Sequence, residues 1–417
     1  MSNFWQRKVA REDAGTDIVP DNTELPLESV EGVLSEVASD TAVIDQQDNE
    51  AALLTEDAGE TEAQFDAVDA DVKAAEAGEE GVEEDIPEDA VEQIDVAQES
   101  VRRRWGLNNR QTCARESYGS TNRRVAVRES LWDDIKAFFR RIWEWLKAQG
   151  RKLKDRWINF HNQGKSIQKR SKKYDAAIRQ LGSIKSGQDE LKGGFIKSLT
   201  QGGNFVGNNV GDLNTLLTNT GKTCEMIQAI IDEMTPVVDH AANILKADDV
   251  KHVASFKKRV DTVFASGGAS SQELLGNMVL KSEGEDDDWS LTFVESDKDV
   301  PTEVKTPAIS LMNSINTFYN KLGIEVEKRA KAYEKTDASR EKYQKAIEKL
   351  LNKVDKVDAK DNADAVEAIR KLRGEVSKAN GATGLLERVA ANSITCMTSG
   401  INGYLSAAIG AYEKRKS

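Results

Sequence analysis

The sequence predicts a mainly α protein: an elongated helical bundle or coiled-coil body with a small β-hairpin insertion, preceded by a disordered acidic N-terminal segment. Three observations lead to this prediction. Apolar residues recur at helical spacing through most of residues 130–414. One short stretch, residues 277–294, alternates between apolar and polar residues instead. The first 116 residues are acidic and poor in aromatic side chains.

Charge divides the 417-residue chain into three unlike parts. Residues 1–100 hold 30 acids and 4 bases, residues 101–180 hold 22 bases and 7 acids, and the rest is nearly balanced with 32 bases and 34 acids. The acidic part buries too little apolar surface to offset its backbone entropy, so we predict that residues 1–116 are largely disordered. An asymmetry this large is typical of an interaction tail or a removable segment.

A basic, tryptophan-rich amphipathic helix is predicted within residues 117–180, at the start of the body. Ser130 and Asp133 make a capping-box pattern at its beginning, and Gly150 is a candidate interruption. Its apolar face has steps of mostly three and four residues: Leu131, Ile135, Phe138, Ile142, Trp145, Leu153, Trp157 and Phe160.

Residues 181–276 are predicted as a glycine-rich connector followed by helices. Three asparagines lie among the glycines between Gly202 and Leu213, which favours a flexible or loosely helical connector over a close-packed GxxxG segment. Residues 222–265 have the spacing of two helices, with Pro236 as a candidate kink.

Residues 277–306 are predicted as a β-hairpin insertion with an acidic tip, and residues 307–417 as helices. The tip carries Glu283, Glu285, Asp286, Asp287 and Asp288. Residues 307–380 have the spacing of a long helical pair, and a separate last helix is expected over residues 385–414.

No motif in the chain predicts catalysis, and we expect no catalytic residue, cofactor or metal site. Gly221-Lys222-Thr223 ends like a phosphate-binding loop, but Leu216 occupies the position of the first glycine, so we interpret the motif as a helix cap. Three distant cysteines indicate free thiols, and the three histidines form no metal-binding pair. No run of eighteen apolar residues occurs, and because residues 1–15 lack an apolar core we expect no secretory signal there.

The basic aromatic region, residues 101–180, is compatible with three interpretations. It can be a core-facing helix with a solvated basic side, a nucleic-acid contact with salt-sensitive affinity for phosphates, or a helix lying on an anionic membrane. The first interpretation is compatible with either of the others. The predicted nucleic-acid-binding residues are Arg140, Arg141, Lys147, Arg151, Lys152, Lys154, Arg156, Lys169, Arg170, Lys172 and Lys173.

Two triplets of a small residue, any residue and glutamate flank the change of charge. They are Ala97-Gln98-Glu99, before Ser100, and Ala114-Arg115-Glu116, before Ser117. With these triplets, the acidic N-terminus and the basic tryptophan-rich helix, the layout resembles the internal head proteins of phiKZ-like giant bacteriophages. That resemblance implies an acidic propeptide that a prohead protease removes after small-X-Glu, with Glu116 preferred and Glu99 as the alternative.

The resemblance implies a non-enzymatic virion protein inside the phage head, present in the host cytoplasm during assembly. Its partners would be other head proteins, the prohead protease and packaged double-stranded DNA rather than a membrane, and the sequence permits an oligomer. A cut after Glu116 would remove a net charge of −22 and leave +9, so the acidic segment could shield the basic helix until then. The alternatives are an α-helical, membrane-active protein of the pore-forming toxin kind and a coiled-coil assembly scaffold.

Overall fold

The computed structural model describes residues 123–244, 271–284, 289–357 and 363–415, with individual positions within 61–70 and 94–103. Helices account for 72% of the described residues, which confirms the predicted mainly α class. The coiled-coil geometry predicted for the body stays a prediction.

Four long helices and one short helix build the body: α1 (Arg123–Ile178), α2 (Phe195–Ser198), α3 (Val210–Ile244), α4 (Ile309–Val354) and α5 (Ala363–Gly410). At 1.5 Å per residue, α5 is about 70 Å long. Contacts along the helices give their directions. Arg140 reaches Asp355 while Gln168 reaches Glu327, so α1 and α4 are antiparallel.

The third helix runs alongside α4 in the same direction. Lys321 donates to Asn214 near the start of both helices, and Lys349 donates to Asp239 near their ends. Since α5 returns antiparallel to α4, the bundle has two helices in each direction. Elements distant in sequence therefore line the same stretch of core.

Nine short strands complete the described fold. Antiparallel pairs join β1 (Leu181–Ile184) to β9 (Tyr412–Lys414), β2 (Glu190–Leu191) to β8 (Val304–Lys305), and β3 (Thr200–Gln201) to β4 (Asn204–Phe205). A separate antiparallel sheet has the order β5 (Ser271–Leu274), β6 (Met278–Glu283) and β7 (Ser290–Glu295).

The predicted β-hairpin is confirmed, with a strand that the sequence did not predict. Met278 pairs with Glu295 and Glu283 with Ser290, so β6 and β7 form the hairpin, and β5 adds a third strand. Residues 285–288 of the acidic tip lie outside the described residues.

Several predicted boundaries are wrong because packing, rather than local signals, sets the helix ends. Helix α1 begins at Arg123, so Ser130 lies inside it, and its backbone is helical through Gly150. Helix α5 continues through residues 380–385 to Gly410, and Tyr412–Lys414 form a strand. Helix α3 begins at Val210, twelve residues before the predicted start, and residues 245–270 lie outside the described part.

The glycine-rich connector is folded rather than loose. Between residues 181 and 209 the chain forms four strands and α2, and it buries Leu191, Phe195 and Leu199. Gly202 and Gly203 have φ values of +55° and +78° at the β3–β4 turn, where a Cβ atom would be strained.

The core consists of two apolar clusters along the bundle, which we call the tryptophan half and the glycine half. The tryptophan half contains residues 127–146 of α1, the last parts of α3 and α4, the first part of α5 and the β5–β7 sheet. The glycine half contains residues 164–178 of α1, α2, the first parts of α3 and α4, the last part of α5 and the strands around them.

The described positions of the N-terminal segment differ from the expected disorder. They are helical within residues 61–70 and 94–103, and Phe65, Val68 and Val101 are buried in the tryptophan half. The other residues before 123 lie outside the described part.

Candidate nucleic-acid interface

The last third of α1 is held in a fixed rotation by polar contacts with two neighbouring helices. Ser171 Oγ donates to the Asn316 carbonyl oxygen (3.2 Å), and Asn316 Nδ2 donates back to the Ser171 carbonyl oxygen (3.0 Å). Ile167 and Ile178 are buried on the same side of α1. This side of the helix therefore faces the core.

Tyr174 ties the same face of α1 to α5. Its hydroxyl donates to Asn402 Oδ1 (2.6 Å) and lies 2.8 Å from Ser406 Oγ. Burial raises the pKa of Tyr174, while the Ser406 hydrogen bond and the Arg170 charge act in the opposite direction. The tyrosine is therefore a neutral hydrogen-bonding group at physiological pH.

Two glycines let α1 and α4 approach closely beside these contacts. A Cβ atom on Gly164 would lie 2.7 Å from the Gly323 carbonyl oxygen, and one on Gly323 would lie 2.8 Å from the Gly164 carbonyl oxygen. Neither position has room for a side chain without backbone movement. The crossing fixes the distance between α1 and α4 just before the basic part of α1.

With one side of α1 held inward, four lysines lie exposed on the opposite side. Lys165, Lys169, Lys172 and Lys173, which we call the lysine stripe, span about 12 Å of helix. None of the four forms an ion pair with another described residue. Residues 156–174 contain six bases and no acid. The next acid along the helix, Asp175, pairs with Arg179 (2.8 Å), so the stripe is a region of positive potential.

The other predicted nucleic-acid-binding residues occupy different environments. Arg170 is half-buried beside Tyr174 and Tyr319, where its positive charge opposes the burial that raises the tyrosine pKa values. Arg140 pairs with Asp355 (2.7 Å), and Arg141 pairs with Glu144 (3.6 Å). Arg140 and Arg141 therefore form ion pairs, whereas the lysines of the stripe form none with another described residue.

Lys147 and the middle of α1 complete the predicted set. The Lys147 ammonium lies 3.9 Å from the centre of the Trp143 ring. For Arg151, Lys152, Lys154 and Arg156, the structure describes the helical backbone but not the side chains. The predicted residues are thus on one helix, but they are not one surface.

The structure describes part of the first predicted processing triplet and none of the second. Gln98 is fully buried and hydrogen-bonds to Thr61 and Gln64, and Glu99 pairs with Arg103. Ala97 and Ser100 lie outside the described residues, as do Ala114, Arg115, Glu116 and Ser117. The first triplet therefore includes a helical, buried position.

The GKT motif is neither a phosphate-binding loop nor the helix cap that we expected. Gly221 lies inside α3, and a Cβ atom there would lie 2.9 Å from Arg329 Nη2. Arg329 in turn donates to the Leu217 carbonyl oxygen (2.6 Å). The glycine makes room for a contact between α3 and α4.

Sequence reasoning missed Lys165, the Gly164–Gly323 crossing and the buried N-terminal positions. Lys165 has the i, i+4 and i+7 spacing with Lys169 and Lys172, and that spacing could have identified it. Phe65 is the sole aromatic residue between residues 6 and 104, an isolated apolar signal in an acidic stretch. The glycine pair has no such signal, because its partners are 159 residues apart.

These features define a helical-bundle protein with a basic surface along one helix. Among the described helices, none combines the length and the apolar character needed to cross a membrane. The family of phiKZ-like phage internal head proteins matches residues 39–406, and the chain belongs to this family. It is therefore a protein of the phage virion, located inside the head. No curated protein and no solved structure matches the chain.

Proposed function

We propose that this internal head protein is non-enzymatic and that its body contacts packaged double-stranded DNA through the lysine stripe. The supporting observation is the exposure of four lysines on one side of α1, in a stretch of sequence without acids. Ammonium groups on one face neutralise phosphates and release counterions, which gives affinity that is independent of base sequence and sensitive to salt. Such affinity suits a protein packed against DNA of any sequence.

A variant of the stripe with a matched control tests the DNA contact. Lys165, Lys169, Lys172 and Lys173 are changed to glutamine together, and in the control Lys342, Lys345, Lys353 and Lys356 are changed in the same way. The control lysines are exposed near the end of α4, where Glu341, Glu348 and Asp355 are interspersed with them. Both variants lose the same total charge.

The measurement is the affinity for random-sequence duplex DNA against salt concentration. We expect the stripe variant to reduce the slope of log K against log salt by about 3–4 and the control by less than about 1. Equal slopes for the two variants would remove the stripe from the proposal. If the natural protein binds other head components but not DNA, the result would favour an assembly scaffold. If the natural protein makes liposomes leak, the result would favour a membrane-active protein.

We also propose that the acidic segment is removed by the prohead protease after Glu116. The burial of Gln98 and its hydrogen bonds to Thr61 and Gln64 disfavour the alternative cut after Glu99, because a protease binds an extended chain. Mass spectrometry of the protein from mature heads should give Ser117 as the first residue. A chain beginning at Ser100, or one that retains the acidic segment, would contradict this cut.

A further inference from the structure

Two stretches of the N-terminal segment contact each other. Thr61 Oγ1 donates to Gln98 Oε1 (3.2 Å), and Gln98 Nε2 donates to Gln64 Oε1 (2.6 Å). Thr61 and Gln98 are fully buried. The described positions within 61–70 and 94–103, which we call the N-terminal pair, are therefore joined by a buried polar contact.

The N-terminal pair also packs on the body. The rings of Phe65 and Trp132 lie 6.4 Å apart, and the Arg370 guanidinium lies 4.9 Å from the centre of the Phe65 ring. Val68 and Val101 are buried in the same apolar cluster. The pair thus covers a surface that α1 and α5 form in the tryptophan half.

The covered surface is distant from the lysine stripe. Trp132 and Lys169 are 37 positions apart on one helix, which corresponds to about 55 Å. A salt solution at physiological strength screens charges beyond about 8 Å. The described contacts therefore hold the N-terminal pair by apolar burial rather than by attraction to the stripe.

We propose that the N-terminal pair is a noncovalent ligand of the body and remains bound after the chain is cut between residues 103 and 123. The occupant of the α1–α5 surface is this chain's own N-terminal segment, before and after the cut. Apolar contact is insensitive to salt, so the complex persists where charge attraction is screened.

The link to maturation rests on the proposed function, whereas the interface rests on the contacts alone. If processing occurs after Glu116, cleavage and release are two separate steps. The acidic segment then leaves the body after its buried side chains are displaced, and the surface beneath it becomes available to another component of the head.

An engineered cut tests the proposal independently of the phage protease. A recognition sequence for an unrelated, sequence-specific protease is placed within residues 104–122 of the full chain, and the protein is cut completely. Size-exclusion chromatography then follows the two fragments at about 1 M NaCl, where the Debye length is about 3 Å. We expect them to elute together, and separate elution would overturn the proposal, as would co-elution limited to low salt.

Two valines of the same stretch supply a matched pair of variants. Val101 is fully buried, while 70% of Val96 is exposed. Val101→Ala should weaken the binding of the cut fragment about tenfold, and Phe65→Ala about a hundredfold or more, because each removes buried apolar atoms. Val96→Ala should leave it unchanged.

Equal effects of Val96→Ala and Val101→Ala would overturn the assigned interface. Circular dichroism of each uncut variant checks that the body is still helical. Since the engineered cut replaces the natural one, failure of the Ser117 prediction in mature heads leaves this test unaffected. Conversely, separate elution of the fragments would leave the proposed cut after Glu116 unaffected.

Discussion

The two halves of the bundle bury different kinds of polar group. Among the described residues, each buried charged side chain lies in the tryptophan half: Arg128, Asp134, Arg340, Arg373 and Glu375. The glycine half buries amides and hydroxyls instead, including those of Asn316, Asn402 and Tyr174. The same four helices therefore use ion pairing at one end and close backbone approach with neutral hydrogen bonds at the other.

Because of this difference, α1 has a covered surface in one half of the bundle and an exposed basic surface in the other. In the tryptophan half, α1 is covered by the N-terminal pair. In the glycine half, neutral contacts on the inner side of α1 leave the lysines on its outer side without a buried counter-charge. A covered surface and an exposed basic surface can coexist on α1 because they are about 55 Å apart.

The largest expected effect concerns the buried ion pair between α4 and α5. Arg340 pairs with Glu387, and their side chains are 6% and 11% exposed. Arg340→Met should lower the free energy of unfolding by about 3–5 kcal/mol, because it leaves a buried carboxylate without its partner. Urea denaturation measures this change.

The control for the buried pair is the exposed pair of Arg140 with Asp355, whose side chains are 52% and 41% exposed. Arg140→Met should cost less than about 1 kcal/mol, since water screens that pair. Equal losses for the two variants would contradict the assigned role of buried charge in the tryptophan half.

The glycine crossing should give the next largest effect. Gly164→Ala places a methyl group against the backbone of α4 and should lower the free energy of unfolding by about 1–3 kcal/mol. Gly374 supplies the control, because it lies inside α5 with no atom within 4 Å of an added Cβ. Gly374→Ala should raise stability by about 0.5–1 kcal/mol. A gain in stability for Gly164→Ala would show that the helices are not in close contact there.

Alkaline pH should weaken the glycine half through its buried tyrosines. Burial raises the pKa values of its tyrosines Tyr174, Tyr319, Tyr404 and Tyr412, and the pKa of Tyr404 reaches about 12. The unfolded chain loses the Tyr404 proton near pH 10. The stability linked to this group is therefore fully present below pH 10 and is lost as the pH rises toward 12.

The variant Tyr404→Phe isolates this effect. It keeps the aromatic ring, which stacks on Phe195, so stability at pH 7 should change by less than about 1 kcal/mol. Between pH 10 and 12 the variant should retain up to about 3 kcal/mol of the stability that the natural protein loses. Unfolding measured across this range by circular dichroism checks the difference, and parallel pH profiles would contradict it.

Periodicity was sufficient to predict the helical class and the hairpin, but not the ends of the helices. Leu131, Ile135 and Phe138 are buried as their spacing predicts. Ser130 has a capping pattern, yet α1 begins earlier at Arg123. A local cap signal is weak against the burial that a longer helix gains in a tertiary structure.

The connector shows why composition alone was misleading. Its glycines indicated flexibility, but Leu199 and Phe195 fit against Gly400 and Gly403 of α5, where added Cβ atoms would lie 2.6 Å and 3.0 Å away. Such contacts join residues about 200 positions apart. Spacing along a single helix or strand cannot reveal them, whereas the basic character of α1 was visible because its lysines are neighbours in sequence.

Chemical crosslinking of protein to DNA inside intact heads tests the contact between the lysine stripe and DNA most directly. Mass spectrometry of the crosslinked peptides locates the residues in contact with the genome. We expect many more crosslinks at Lys165, Lys169, Lys172 and Lys173 than at Lys342, Lys345, Lys353 and Lys356. Crosslinks spread equally over both sets, or confined to the tryptophan half, would contradict this expectation.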